Sequence, residues 1–425
     1  MKRNTLRILG DHFRRKSLKR HYWTALETLR GLRALYRPGN KAFRRVVLRD
    51  WRQFVFGSSR ASDAGALDRA DAAAGWLARA QDATDDGGVA FGYFPTEADG
   101  GWLTSYPETT GYIIASLLDY AGVRAAPEFV ERAARMAHWE VDVQLESGAV
   151  QGGRLDPSTE PTPAAFNTGM VLHGWARLLE QREDQRILEA ARRAADFLLD
   201  DMTDAGNFRT NGAFVSRSDV KNYNSLCGWA LYLFGNVVDD DRYREAAVRA
   251  GRAAMRAQTA NGWIENNSLG RNDAVLTHTL GYTLQAYLEI GLLADDQELV
   301  TASKRGIDAV IPQIDDRGFL CSWYYDDWSR ALFSSCLTGS AQLAIVMYRL
   351  ASQLGDASYI EPADRLVDFL KGRQVADCPD SGVNGALAGS HPIIGQYMTR
   401  GYPNWATKYL LDALLLQHAA STAPG

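Results

Sequence analysis

The chain repeats one local pattern six times: a cluster of polar residues, a small residue, and then a long apolar stretch. The first copy, residues 106–112, reads Tyr-Pro-Glu-Thr-Thr-Gly-Tyr, and an apolar run follows it to residue 120. Aligned copies share a reference position, and the intervals between successive reference residues are 58, 59, 53, 58 and 68 residues. The reference residues are Gly111, Gly169, Gly228, Gly281, Gly339 and Thr407. Such spacing predicts a fold built from six equivalent units.

Each unit also has a first half, which precedes the polar cluster. It is an amphipathic segment with helical spacing that ends in Gln or another polar residue and is followed by a glycine turn. The segments are residues 72–81, 133–144, 190–202, 246–258, 302–313 and 363–374, with turn glycines at 87–88, 148, 206, 262, 318 and 382. Six units with two helices each predict an all-α protein of about a dozen helices.

The two helices of a unit differ in composition, and this difference predicts how the units are arranged. The second helix is apolar around most of its circumference, so it needs burial on nearly all sides. The first helix is charged on one face. An inner ring of apolar helices inside an outer ring of amphipathic helices satisfies both, whereas an open solenoid needs polar caps at its ends. We therefore predict an (α/α)6 toroid, six helical hairpins closed into a ring, over residues 65–421.

Residues 1–60 differ in charge from the rest of the chain and are predicted to form a separate arm. They hold 17 basic and three acidic residues, so their net charge is +14 while the remainder carries −18. Two helices are expected in the arm, at 17–36 and 41–56. The charge suggests contact with an anionic membrane surface or an acidic protein partner, or else with the acidic outer face of the ring itself. Nucleic acid is not an expected partner.

No apolar stretch approaches the ~20 residues that a membrane-spanning helix needs. We therefore expect a cytoplasmic protein, with peripheral attachment to the inner face of the membrane as the alternative to a free one. The four cysteines form neither a CxxC pair nor a Cys-His dipeptide, so neither a disulfide framework nor a metal site is predicted. No cofactor is predicted either.

The polar clusters are the candidate functional site, because equivalent positions at the starts of six inner helices lie on one rim of a toroid. The predicted catalytic residues are Glu108, His278, Tyr282 and Tyr402. The predicted substrate-binding residues are Tyr106, Asn167, Tyr223, Asn224, Trp263, Trp323, Asn404 and Lys408. Helix N-termini, Lys408 and Arg271 would make this rim electropositive. The competing interpretation is structural: Asn224 and Asn404 are ordinary helix caps, and the tryptophans fill the seams between units.

Parts of the sequence resemble known toroid families. The turn Gln258-Thr-Ala-Asn-Gly-Trp263 resembles the repeated turns of squalene cyclases and prenyltransferases. Residues 76–416 more closely resemble bacterial toroid proteins associated with surface-polysaccharide biosynthesis; the motifs are 105–112, 166–169, 336–339 and 403–406. Related toroids include polysaccharide lyases, glucuronyl C5-epimerases and unsaturated-glucuronyl hydrolases, whose sites lie where the inner helices begin. The resemblance implies a carbohydrate ligand. The electropositive rim favours an anionic one, so the expected ligand is an acidic oligosaccharide or polysaccharide.

The residues on the rim favour one chemistry over its alternatives. Phenols, imidazole and amides outnumber carboxylates, which favours a lyase or C5-epimerase that removes the proton next to a uronate carboxylate. An inverting hydrolase would pair Glu108 with Asp326 or Asp327 across ~6.5–9.5 Å. A third hypothesis is a non-catalytic glycan-binding protein of an exopolysaccharide assembly system. Terpenoid binding would require a pocket without polar groups.

Overall fold

The computed structural model describes residues 40–57, 65–97, 101–156, 158–212, 219–270 and 274–422. Helix α1, Lys41–Phe56, precedes six helical pairs. The outer helices are α2 (Ala66–Asp82), α4 (Pro127–Asp142), α6 (Gln185–Asp201), α8 (Asp241–Met255), α10 (Gln297–Val310) and α12 (Ile360–Lys371). The inner helices are α3 (Pro107–Arg124), α5 (Ala165–Leu179), α7 (Leu226–Val238), α9 (Thr277–Leu293), α11 (Leu337–Leu354) and α13 (Asn404–Thr422). Short 3₁₀ helices occupy Asn222–Ser225, Ile311–Gln313 and Ala357–Tyr359.

The six pairs close into a ring. Each inner helix packs against the next one, and the last inner helix, α13, packs against both α3 and α2 of the first unit. The inner helices are buried along most of their length, while the outer helices bury one face. The predicted (α/α)6 toroid is confirmed.

Glutamines at the ends of outer helices join neighbouring units, and the same contact closes the ring. The amide of Gln258, just after α8, donates to the carbonyl oxygen of Ala302 in α10 at 2.9 Å. Gln374 follows the last outer helix, and its amide donates to the carbonyl oxygen of Arg69 in the first outer helix at 3.0 Å. The repeated glutamine therefore marks a contact between units.

Two sets of glycines fit the repeat for different reasons. The reference glycines lie where inner helices touch: a Cβ on Gly169 would lie 2.6 Å from Sγ of Cys227 in the next inner helix. The turn glycines adopt positive φ, for example Gly148 at 83° and Gly262 at 84°, which favours glycine. In the sixth unit that residue is Gly385, with φ 93°, and not Gly382 as the sequence pattern predicted.

Seven very short strands connect the loops at the rim where the inner helices begin. They are β1 (Gly92–Phe94), β2 (Gly101–Trp102), β3 (Val275–Leu276), β4 (Trp323–Tyr324), β5 (Ser335–Cys336), β6 (Ser390–His391) and β7 (Tyr402–Pro403). They form antiparallel sheets in the orders β2-β1-β7, β3-β4 and β5-β6. Tyr93 pairs with Tyr402, so this sheet also joins the first unit to the last.

Helix α1 is packed onto this rim. The ring of Phe43 lies 6.1 Å from that of Tyr402 in an edge-on contact. Asp50 accepts a hydrogen bond from the backbone N–H of Ile393 at 2.6 Å and lies 2.6 Å from Nδ1 of His391. The predicted helix at 41–56 is confirmed, and it contacts rim loops rather than the acidic outer face. The predicted helix at 17–36 lies outside the described residues. Among the residues that the structure describes, no helix is long and apolar enough to cross a membrane.

Candidate functional site

A carboxyl group and a phenol lie in contact at the start of α3. Tyr106 immediately precedes the helix, and its hydroxyl donates a hydrogen bond to Oε2 of the half-buried Glu108. Burial raises the pKa of Glu108 to about 7, and the hydrogen bond from Tyr106 partly opposes that rise. A carboxyl group with this pKa can either give or accept a proton at neutral pH.

Buried tyrosines surround Glu108. Burial, with a further contribution from the charge of Glu108, raises the pKa of five phenols well above the usual tyrosine value; these are Tyr112, Tyr223, Tyr282, Tyr397 and Tyr409. The ring of Phe166 bridges Tyr223 and Tyr282, with centroid separations of 5.3 and 4.8 Å. The phenols therefore stay protonated at neutral pH. Together with Tyr106, Glu108 and His278 they form what we call the Glu108 cluster.

His278 enters the cluster from the first turn of α9. Its ring lies 4.4 Å from that of Tyr282 and 5.4 Å from that of Tyr397. Nδ1 lies 2.7 Å from Oε1 of Gln342. Because an amide oxygen only accepts, Nδ1 carries the proton and Nε2 presents its lone pair. Burial lowers the pKa of His278 to about 4, so the imidazole is neutral at pH 7.

An aromatic wall continues from the cluster towards solvent. The ring of Phe91 lies 5.3 Å from Tyr106 and 4.8 Å from Trp405. The guanidinium carbon of Arg154 lies 5.4 Å from the centre of the Phe91 ring, and this arginine is exposed. Flat ring faces beside polar groups suit a sugar, and the cation suits a carboxylate substituent.

Two further predicted residues lie next to the cluster. The side chain of Asn167 interacts with the Tyr106 hydroxyl, and its amide donates to the carbonyl oxygen of Gln151 at 3.0 Å. Trp323 in β4 is half-buried, and its ring centroid lies 6.5 Å from that of Tyr397. The structure therefore brings together seven of the twelve candidates: Tyr106, Glu108, Asn167, Tyr223, His278, Tyr282 and Trp323.

Tyr402, which the sequence predicted to be catalytic, lies outside the Glu108 cluster. The structure therefore corrects this prediction. Strand β7 directs its side chain to Phe43 of α1, and it lines a small cleft with Arg49 and Asp50. The prediction rested on the alignment of Tyr402 with Tyr106 and Tyr223, five positions before the reference residue. The short strand β7 instead turns the Tyr402 side chain towards α1.

Three predicted binding residues have structural contacts. The amide of Asn404 donates to the carbonyl oxygen of Ala90 at 2.9 Å and to Oγ1 of Thr109 at 2.7 Å, contacts that help close the ring. The amide of Asn224 donates to Oδ1 of Asn211 at 2.8 Å. Trp263 is buried in the turn after α8. These positions fit the structural alternative.

Lys408 faces away from the rim, into the interior of the ring. Its Nζ lies 2.8 Å from Asp412 and 3.9 Å from the centre of the Tyr409 ring. Asp412 therefore balances the positive charge of Lys408, which the sequence analysis had assigned to the rim. Arg271, the other predicted cation, lies outside the described residues. Asp326 and Asp327 are exposed in a loop that receives a hydrogen bond from Asn261.

Sequence analysis missed Tyr112, Tyr397, Tyr409, Gln342 and Arg154. Tyr112 follows Gly111 as the predicted Tyr282 follows Gly281, so the alignment of the units could have identified it. Tyr397 comes from the loop before α13, outside the positions that the repeat aligns. Within the described part of the chain, no group of three or more His, Cys, Asp or Glu residues is placed to bind a metal.

Comparisons with known proteins identify the fold. No protein-family model matches the chain, and no curated protein matches its sequence. An unsaturated glucuronyl hydrolase specific for heparin superposes with a TM-score of 0.68 at 14% identity, covering 84% of this chain and 98% of the hydrolase. The unsaturated glucuronyl hydrolase of Bacillus sp. GL1 gives 0.65 at 16% identity, covering 82% and 96%.

Sugar isomerases and epimerases share the same architecture. A D-mannose isomerase superposes with a TM-score of 0.67 at 12% identity, covering 86% of this chain and 99% of the isomerase. The cellobiose 2-epimerase of Bacillus thermoamylovorans B4167 gives 0.63 at 10% identity, covering 80% and 95%. At these identities the likeness shows the fold, and the chain is similar in architecture to carbohydrate-active toroids.

Proposed function

We propose that this protein is a carbohydrate-active enzyme that acts on an acidic, uronate-containing glycan at the Glu108 cluster. The observation that carries the proposal is the contact between Tyr106 and Glu108 inside a buried group of aromatic rings. A carboxyl group that titrates near neutrality, among phenols and flat rings, suits proton transfer on a sugar. The similar toroids support this class of substrate, since two are glucuronyl hydrolases by name.

The preferred reaction is removal of the proton at C5 of the uronate. Glu108 in its carboxylate form accepts that proton, and Tyr106 positions it. In a lyase the electrons form a C4–C5 double bond, and a phenol such as Tyr282 protonates the departing O4. In an epimerase Glu108 keeps the proton that it removed, and a phenol on the opposite face, such as Tyr282, delivers another proton to C5. Arg154 would bind the uronate carboxylate, which stabilises the negative charge that develops, and His278 would accept a hydrogen bond from a sugar hydroxyl.

Hydrolysis is the second candidate, and the hydrolases among the similar folds favour it. An inverting hydrolase needs two carboxyl groups on opposite sides of the scissile bond. Glu108 would be one, and Asp326 or Asp327 in the exposed loop would have to supply the other.

Product analysis separates these reactions. Polyglucuronate, polymannuronate and heparosan would be incubated with the protein in D2O. Ultraviolet absorbance of an unsaturated uronate identifies a lyase, deuterium at C5 without cleavage identifies an epimerase, and new reducing ends without unsaturation identify a hydrolase. Glu108→Gln and His278→Ala should lose turnover, while Tyr402→Phe should keep it. Turnover that survives Glu108→Gln would contradict the proposed site, and binding without turnover would favour the glycan-binding alternative.

We also propose that the basic arm attaches the protein to an anionic, cytoplasmic membrane face, in keeping with a role in polysaccharide biosynthesis. The described part of the arm, α1, combines exposed Arg45 and Arg52 with exposed Leu48, Trp51 and Phe56. Basic residues around an apolar patch suit anionic lipid. Phosphatidylglycerol vesicles should bind the protein at low salt and release it at high salt. Arg45→Glu with Arg52→Glu should weaken sedimentation with the vesicles; equal sedimentation would contradict the proposal.

A further inference from the structure

A cavity of about 610 Å³ occupies the interior of the ring and extends from the Glu108 cluster to the opposite end. All six inner helices line it. Its inner end is formed by residues near the helix starts, among them Tyr112 and Tyr409, and its mouth by residues of the last turns, such as Val123 and Ala419. Because the inner helices all run in one direction, this mouth opens where they end. The volume is within the ~300–1,000 Å³ range of small-molecule pockets.

The wall of this lumen cavity carries ion pairs between apolar side chains. Arg177 of α5 lies 2.9 Å from Asp119 of α3. Arg349 of α11 makes two hydrogen bonds to Glu289 of α9, at 2.8 and 2.7 Å. The third pair is formed within α13, by Lys408 and Asp412. Charged groups therefore line the cavity at three places, each time as an oppositely charged pair.

Polar groups in the cavity are left without protein partners among the described residues. His173 is 6% exposed, its ring stacks 4.5 Å from that of Trp229, and its Nε2 has no hydrogen-bond partner there. Oδ1 of Asp412 also lacks one. Buried polar atoms are nearly always hydrogen-bonded in native proteins. Unpartnered polar atoms that line a cavity therefore indicate a ligand that forms hydrogen bonds with them.

The charges indicate that this ligand is neutral. The six charged residues of the lining form three pairs, so their charges cancel. The helix C-termini at the mouth carry partial negative charge, which disfavours an anion. A hydroxyl group both donates and accepts, so it can donate to the Asp412 carboxylate and accept from the guanidinium groups of Arg177 and Arg349 in the lining. It can also pair with either tautomer of His173. The faces of Trp229 and Tyr409 suit the apolar face of a sugar ring.

We propose that the lumen cavity is a second binding site, for a neutral, hydroxyl-rich ligand the size of a mono- or disaccharide. It adjoins the Glu108 cluster, with which it shares Tyr112 and Tyr409, but it opens at the other end of the ring and does not depend on the function proposed for the cluster. The Tyr409 ring contacts those of Tyr112 and Tyr282, so these three tyrosines of the cluster lie between Glu108 and the cavity. The acidic glycan would bind at one end of the ring and the neutral sugar at the other.

The proposal is tested by titrating the full chain with glucose, maltose and glucuronate, using calorimetry and saturation-transfer NMR. Glucose or maltose should bind. Ala419→Trp, which fills the exposed mouth, should weaken that binding by about tenfold or more. Ser421→Trp, an exposed neighbour outside the lining, should leave it unchanged. Asp412→Asn should weaken it, because a carboxylate acceptor becomes an amide.

Three results would overturn the proposal. The first is that Ala419→Trp and the unaltered protein bind the neutral sugars with equal affinity. The second is that glucuronate displaces those sugars. The third is that neither glucose nor maltose binds up to about 50 mM, a concentration at which even a very weak site would respond. Binding of neutral sugar to the Glu108→Gln variant separates this proposal from the proposed enzyme activity. Neutral sugar should bind that variant normally even if the variant loses all turnover.

Discussion

The hydroxyl of Tyr106 donates a hydrogen bond to the Glu108 carboxyl two residues later, across the first turn of α3. The two side chains are held together because Tyr106 is in extended backbone just before the helix, and Pro107 starts the helix at once. A proline at the first helical position fixes φ near its helical value. The local sequence therefore brings the carboxyl group and the phenol within reach of each other.

This pair predicts a pH dependence of stability that Glu108→Gln removes. The pKa of Glu108 is about 7 in the folded chain and about 4.3 in an unfolded one. The folded state therefore binds the proton more tightly, and the resulting stability is full below pH 4 and is lost as pH rises through 7. We expect Glu108→Gln to gain on the order of 1–3 kcal/mol relative to the unaltered protein between pH 4 and 8.

Urea unfolding of both proteins at several pH values measures this difference. A constant difference across the range would show that Glu108 titrates normally. The pH profile of turnover of the unaltered protein should show the same ionisation near 7.

Tyr106→Phe should move that ionisation to higher pH. The hydrogen bond from Tyr106 lowers the pKa of Glu108, so its removal leaves the effect of burial unopposed. The shift is measurable by following the Glu108 carboxyl with ¹³C NMR during a pH titration. Tyr402→Phe is the matched control. It also removes a buried phenol hydroxyl, one with no described partner, but it lies against α1 and should leave the titration unchanged.

The repeat made most of the fold predictable from the sequence. Glutamine and glycine at fixed positions gave the turns, and apolar runs after each reference position gave the inner helices. In the sixth unit the pattern predicts Gly382 as the turn glycine after residues 363–374. The structure shows that Gly385 has the required positive φ instead. Spacing alone cannot distinguish two nearby glycines.

The candidate site was less predictable. A residue's position in the first turn of an inner helix fixes its height on the ring, but it does not fix the direction of its side chain. Tyr106 and Glu108 point to the centre, while Tyr402 is turned outward by the pairing of β7 with β1. The sequence also contains a pattern that indicates the lumen cavity. Charged residues stand eight positions after Gly111, Gly169 and Gly281, at Asp119, Arg177 and Glu289, inside helices that otherwise read as core.

The contact between α1 and the rim predicts that the arm stabilises the ring. Phe43 is 1% exposed and packs on the hydrophobic core. We expect Phe43→Ala to cost about 3–5 kcal/mol of the free energy of unfolding. Leu48→Ala on the same helix, where the side chain is 58% exposed, should change it by less than about 0.5 kcal/mol. Thermal melts of both variants measure the difference; equal melting temperatures would mean that α1 folds independently of the ring.

Two glycines of the same inner helix predict opposite effects of one substitution. A Cβ on Gly111 would lie 2.5 Å from Cα of Val171, in the neighbouring inner helix, whereas a Cβ on Gly122 would meet no atom within 4 Å. Gly111→Ala must push two inner helices apart, which costs about 1–3 kcal/mol or more. Gly122→Ala gains helix propensity without a clash and should stabilise the protein by up to about 1 kcal/mol. Urea unfolding of the two variants should therefore move the midpoint in opposite directions. Destabilisation by both would indicate that alanine is unfavourable for a reason other than the close approach of α3 and α5, and would remove the physical basis for the glycine repeat.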